Sequence, residues 1–143
     1  MVRRISSRAA RGWIFQDQEF VFGELEGSTL ERLLGHVDGE TGAPLIVFLK
    51  TTGHMWQRFF LDAGLGFWGE YSEHDVAGEL EEDAAIDYGH RFGVVGQCVG
   101  QARCEPGPRI RVAISSGDFV LETTDDSILD APSSVRFESK LGA

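Results

Sequence analysis

The sequence lacks any long apolar run: the longest uninterrupted one, residues 45–49, falls far short of the roughly 20 residues that a membrane-spanning helix needs. Neither a bilayer crossing nor the apolar core of a secretory signal is written in it, which predicts a soluble, cytoplasmic protein. Cysteine is scarce, with only Cys98 and Cys104. On one continuous strand their α-carbons would lie about 20 Å apart, well beyond the roughly 7 Å that a disulfide can bridge. The pair matches no zinc-ligand spacing either, so buried free thiols in a reducing compartment are expected. Missing as well are an H-E-x-x-H metal motif, a G-x-S-x-G nucleophile elbow, a glycine-rich phosphate loop and a dinucleotide fingerprint. These absences count against an enzyme, although an acid–base pair needs no motif. No cofactor and no resident metal is predicted.

Positive charge is missing locally. Between residues 59 and 90 there is no lysine or arginine, against nine acids: Asp62, Glu70, Glu73, Asp75, Glu79, Glu81, Glu82, Asp83 and Asp87. The start of the chain is the reverse, with Arg3, Arg4, Arg8 and Arg11 and no acid in its first 11 residues. Overall, 13 basic against 23 acidic residues leave a net charge of -10, which repels phosphate backbones and anionic lipid and so excludes nucleic acid and membrane as expected partners. The arginine-rich start has no amphipathic face and reads as a flexible basic tail over residues 1–11. A single globular domain over residues 12–143 follows, within the usual size of one core. No repeat, low-complexity segment or linker divides it.

What is present is β-rich. Residues 13–15 and 20–25 are aromatic and β-branched runs around the polar 16–19, which predicts a hairpin. Ser28 followed by Glu31 matches a capping box, with Leu30, Leu33 and Leu34 on one helical face and Gly35 as a stop, so a short helix is expected there. The apolar run 45–50 predicts a strand buried on both faces. Residues 55–62 and 65–71, separated by Ala63-Gly64, predict a second hairpin. Ser72 and Asp75 form another capping pattern, with Val76 and Leu80 on one face of a helix reaching about Asp83. Residues 94–104 predict a long strand stopped by the turn 105–108. Residues 109–114 and 119–123 alternate around 115–118 as a third hairpin, and 135–138 suits a last strand. The fold class predicted is α+β, a mainly antiparallel, strongly curved sheet or partial barrel of about eight strands with two short helices. The curvature rests on glycines at 66, 69, 96 and 100, which in strands mark bulges, bends or close backbone approach.

Two surfaces compete as functional sites. Alternation over 94–104 puts Gly96, Cys98, Gly100, Ala102 and Cys104 on one nearly bare face. Either core aromatics such as Trp56, Phe59, Phe60, Phe67 and Trp68 fill that space, or it is a groove. A groove would suit a small-ligand-binding barrel or a metal-assisted hydrolase using His54, His90 and Asp87. The carboxylates and imidazole of Glu70, Glu73, His74 and Asp75 are a second candidate ligand set.

The acidic segment is the stronger feature. Glu81, Glu82 and Asp83 crowd the expected C-terminal end of a helix, where the macrodipole is already negative. Repulsion with Glu79 adds to the cost, and no cation lies nearby in sequence. A solvated surface that maintains solubility is the plain account of such a run. The alternative is a basic partner that covers it. The expectation is a non-catalytic acidic protein that masks a basic surface on a protein partner, as an immunity protein neutralises a toxin, by likeness of physical character and not of motif. Its partner-binding residues would be Glu70, Tyr71, Glu73, Asp75, Glu79, Glu81, Glu82, Asp83 and Asp87, with Trp68 and Tyr71 as exposed anchors. A homo-oligomer in which Arg103, Arg109 or Arg111 meets the acidic segment of a second copy is a further arrangement of the same charges.

Overall fold

The computed structural model describes residues 3–5, 14–125 and 131–140. Within them the chain forms twelve strands: β1 Arg3–Ile5, β2 Ile14–Asp17, β3 Phe20–Phe22, β4 Leu30–Val37, β5 Pro44–Thr51, β6 Trp56–Asp62, β7 Leu65–Tyr71, β8 Ala85–Asp87, β9 Val99–Glu105, β10 Arg109–Ile114, β11 Gly117–Thr123 and β12 Ser133–Ser139. Two short helices, α1 Glu73–Glu79 and α2 Tyr88–Arg91, and a 3-10 turn at Glu82–Ala84 complete it. The strands make two six-stranded sheets, ordered β1-β3-β9-β10-β11-β12 and β2-β7-β6-β5-β4-β8. Every pairing is antiparallel except β1 with β3. The class is thus α+β with antiparallel sheet, and no described helix is long and apolar enough to cross a membrane. Neither sheet closes into a barrel. Two sheets sharing one core replace the single curved sheet of about eight strands expected from the sequence.

Alternation builds that core. Phe20, Phe22, Ala102, Cys104, Ile110, Val112, Phe119 and Leu121 of the first sheet meet Leu33, Val47, Leu49, Phe59 and Trp68 of the second in one buried cluster. Trp68 stacks on Phe59 with centroids 4.9 Å apart, and its indole N–H donates to Gln57 Oε1 at 2.8 Å, so the buried polar atoms satisfy each other. A smaller cluster of Leu34, Phe48, Trp56 and Val76 lies on the other face of the second sheet, where α1 covers it. Val47, Phe48 and Leu49 of β5 are buried on both faces because they serve both clusters, as the apolar run predicted, whereas Leu45 at its start is exposed.

Several local expectations are corrected. Residues 28–35 are not a helix: Leu30–Val37 is strand β4, paired with β5 and β8. Ser28 Oγ donates to the Leu25 carbonyl instead of capping a helix, and Glu31 accepts from Thr52 Oγ1. Leu33 enters the main core and Leu34 the smaller one, so two-sided burial imitated a helical face. Strands β2 and β3 form no hairpin, since β2 pairs with β7 and β3 with β1 and β9; residues 18–19 carry the chain between sheets. Within the expected tail, residues 3–5 form β1 with Ile5 buried, while 6–11 and Trp13 lie outside the described residues. The strand expected from 94 begins at Val99, preceded by a turn with Gly96 at φ +90°. Opposite Ala113 it carries an extra residue, because Val99 pairs with Ile114 and Ala102 with Val112. That bulge breaks the alternation that predicted one bare face.

Candidate functional site

The second capping pattern holds. Ser72 Oγ accepts from Asp75 N at 3.1 Å, Asp75 returns the bond to Ser72 N, and α1 starts at Glu73. Val76 and Leu80 then face Leu34, Phe48 and Trp56. Strand β7 and strand β8 lie at positions two and six of the second sheet, so residues 72–87 cross its outer face over β6, β5 and β4. Four interstrand spacings of about 4.8 Å make this crossover roughly 19 Å wide. It carries Glu73, Asp75, Glu79, Glu81, Glu82, Asp83 and Asp87, so seven of the ten predicted binding residues share one band.

The fold gives some of these acids internal partners. Glu73 accepts a hydrogen bond from the Trp56 indole. Glu79 pairs with Arg58 at 2.8 Å, and the Arg58 guanidinium lies 4.8 Å from the ring centres of both Phe60 and Tyr71. This cation was invisible along the sequence because it sits on β6, opposite Gly69 of β7. Burial raises the Tyr71 phenol above its ordinary range, and the Arg58 charge partly opposes that rise. Asp87 accepts from the backbone N–H of His90 and thereby starts α2. Arg32 is exposed on β4, with its guanidinium 5.8 Å from the Trp56 ring centre.

Glu81, Glu82 and Asp83 differ. All three are exposed, and no hydrogen bond or ion pair among the described residues reaches their carboxylates. Their predicted helical context is corrected: α1 ends at Glu79 with Leu80 as its cap, and Glu82 and Asp83 open the 3-10 turn. They therefore avoid the negative end of a longer helix, and solvent exposure is what they retain.

Two other predicted residues leave the band. Trp68 is 0% exposed in the main core, so it is no surface anchor. Gly66, on the same face of β7, lets the opposite sheet approach closely, with Cys104 and Phe20 over it. Glu70 shares the Trp68 side of β7 by alternation, away from Tyr71 and α1. The first sheet accounts for its own charges. Arg109 pairs with Glu105 and Glu122, Arg111 with Glu105, Asp118 and Glu138, and Arg136 with Glu122 and Glu138. Arg109 and Arg111 are thus engaged within their own subunit, and Arg103 donates to Gln101 Oε1 at 2.8 Å.

The groove expected beside 94–104 is an open hollow of about 210 Å³ lined by Cys98, Val99, Gly100, Ala113, Ile114, Ser115 and Lys140. None of His54, His90 and Asp87 lines it. His54 Nδ1 lies against Thr51 Oγ1 and the Thr52 carbonyl, and His90 meets Asp87 through its backbone N–H. Among the described residues, no three His, Cys, Asp or Glu side chains converge as metal ligands. Cys98 and Cys104 are both free, Cys98 exposed and Cys104 buried, so the expected burial holds for Cys104 alone. Comparison with protein-family models, curated proteins and solved structures returns no match.

Proposed function

We propose that this protein is a non-catalytic binding module whose acidic crossover, residues 73–87, covers a basic surface on a protein partner. One observation carries the reading: three successive exposed carboxylates, Glu81, Glu82 and Asp83, meet no cation among the described residues, whereas Arg109, Arg111 and Arg136 of the first sheet are matched by carboxylates of their own sheet. Counting the band's seven acids against Arg32 and Arg58 leaves a local charge of five negatives. A patch of one sign on a rigid sheet steers an oppositely charged protein and weakens with salt. The half-buried Tyr71, braced by Arg58 and Glu79, supplies a rigid aromatic edge beside the acids. Inhibition of a cationic toxin is one biological use of such a surface.

The test is capture from a lysate of the source organism at low and high salt. The wild type is compared with a Glu81→Lys, Glu82→Lys, Asp83→Lys variant, leaving Glu79 and its ion pair intact. The reading requires a basic protein that elutes with salt and is lost from the variant. Capture that survives the reversal would remove the acidic band from the account.

A further inference from the structure

The sheet edges are unequal. Among the described strands, β1, β2 and β8 are edges of three or four residues, whereas β12 is an edge of seven, Ser133–Ser139. Native proteins blunt long edges with proline, an inward charge or a bulge. Strand β12 has none of these. It contains no proline or lysine, its register with β11 is unbroken, and its inward side chains Val135 and Phe137 are only partly buried against the core.

Flanking bonds fix which backbone groups are open. Lys140 N donates to Ser116 O and Thr124 N to Pro132 O, each at 2.9 Å. Even-numbered residues of β12 therefore bond to β11, and antiparallel alternation turns the N–H and C=O of Val135 and Phe137 to the free edge. On the outer face Arg136 and Glu138 pair with each other, with Glu122 and with Arg111. Arg4, Arg103, Arg109, Arg111 and Arg136 stand there against Glu105, Asp118, Glu122 and Glu138, five against four, so the net charge of -10 does not repel at this face.

We propose that β12 pairs antiparallel with β12 of a second copy of this chain, about a twofold axis at Phe137, joining the first sheets of two molecules into one continuous sheet. Charge selects the register. Centring on Arg136 would set that arginine directly against its own copy, at the roughly 4.5 Å Cα spacing of a non-hydrogen-bonded pair, where like charges destabilise. Centring on Val135 would give Arg136 only Ser134 as its opposite. Centring on Phe137 places Arg136 opposite Glu138 of the second copy, twice, and extends the ladder of ion pairs across the axis. It also lets Phe137 exchange both backbone hydrogen bonds with its own copy and covers the exposed parts of the inward side chains.

Sedimentation velocity over a concentration series reads the association directly, with the mass expected to double. Val135→Pro removes an N–H that faces the open edge, so it should keep the circular dichroism of the wild type and sediment as a monomer. Register is read by oxidation in a Cys98→Ser background. A mixture of Arg136→Cys and Glu138→Cys chains keeps one of the two charge pairs and should form a mixed disulfide, because the paired α-carbons fall within bridging range. A wild type that stays monomeric to its solubility limit overturns the proposal. So does a dimer that a folded Val135→Pro leaves intact, or Arg136→Cys oxidising with itself in preference to Glu138→Cys. Should Val135→Pro fail to fold, the oxidation experiment decides alone.

Discussion

Gly66 of β7 lies directly beneath the Cys104 thiol of β9, so close that a Cβ at position 66 would sit 2.4 Å from the sulfur. This glycine sets the distance between the two sheets. Gly66→Ala should destabilise the fold by about 1–3 kcal/mol through overpacking. Adding Cys104→Ala removes the sulfur and should restore part of the loss, which urea denaturation of the two variants would measure. Equal stability of the single and double variants would show that this contact does not limit sheet packing.

The two thiols should differ in reactivity. Burial pushes the Cys104 thiol up to about 12, whereas Cys98 is exposed. A thiol reagent at mildly alkaline pH should therefore titrate one cysteine in the native protein and both in denaturant. Peptide mapping should place the fast label on Cys98.

Arg58 links the acidic crossover to the sheet below it. Arg58→Lys retains the charge but loses the planar group between Phe60 and Tyr71, at an expected cost of about 1 kcal/mol. Arg58→Met should cost more, because it also leaves Glu79 unpaired. In that variant the Tyr71 phenol should titrate higher still, since the cation that opposes its rise is gone; phenolate absorbance would follow it.

The outer ladder of the first sheet should be sensitive to acid. Hydrogen bonds from Arg111 and then Arg136 hold the Glu138 carboxyl down at about 2, against an ordinary value of 4.5. A carboxyl lowered on folding contributes stability that is fully present above 4.5 and is lost as pH falls from there toward 2. Arg111→Gln should move Glu138 back toward the ordinary value, read by carboxyl chemical shifts, and should flatten this part of the stability profile.

Legibility in the sequence followed the range of the physics. The hairpins at β6–β7 and β10–β11 were readable because a short turn joins strands that pair with each other. The cap at Ser72 was readable because both of its partners lie within three residues. The similar pattern at Ser28 misled, because the segment pairs in register with β5 and both of its faces are buried. Leucines that look helical by spacing then serve two different cores. The acidic run itself was plain from composition. Its partial neutralisation by Arg58, and the burial of Trp68 beneath the opposite sheet, depended on contacts between strands.

The sequence alone settled the acidic charge, the predominance of antiparallel strands and the places of the tight turns, since these depend on composition and on neighbours a few residues away. Tertiary structure alone decided that the strands divide into two sheets, which acids keep a solvent-exposed face and which of the described strands lie at the sheet edges. Those outcomes depend on which strands lie side by side, and that choice is made by packing between residues far apart in the chain.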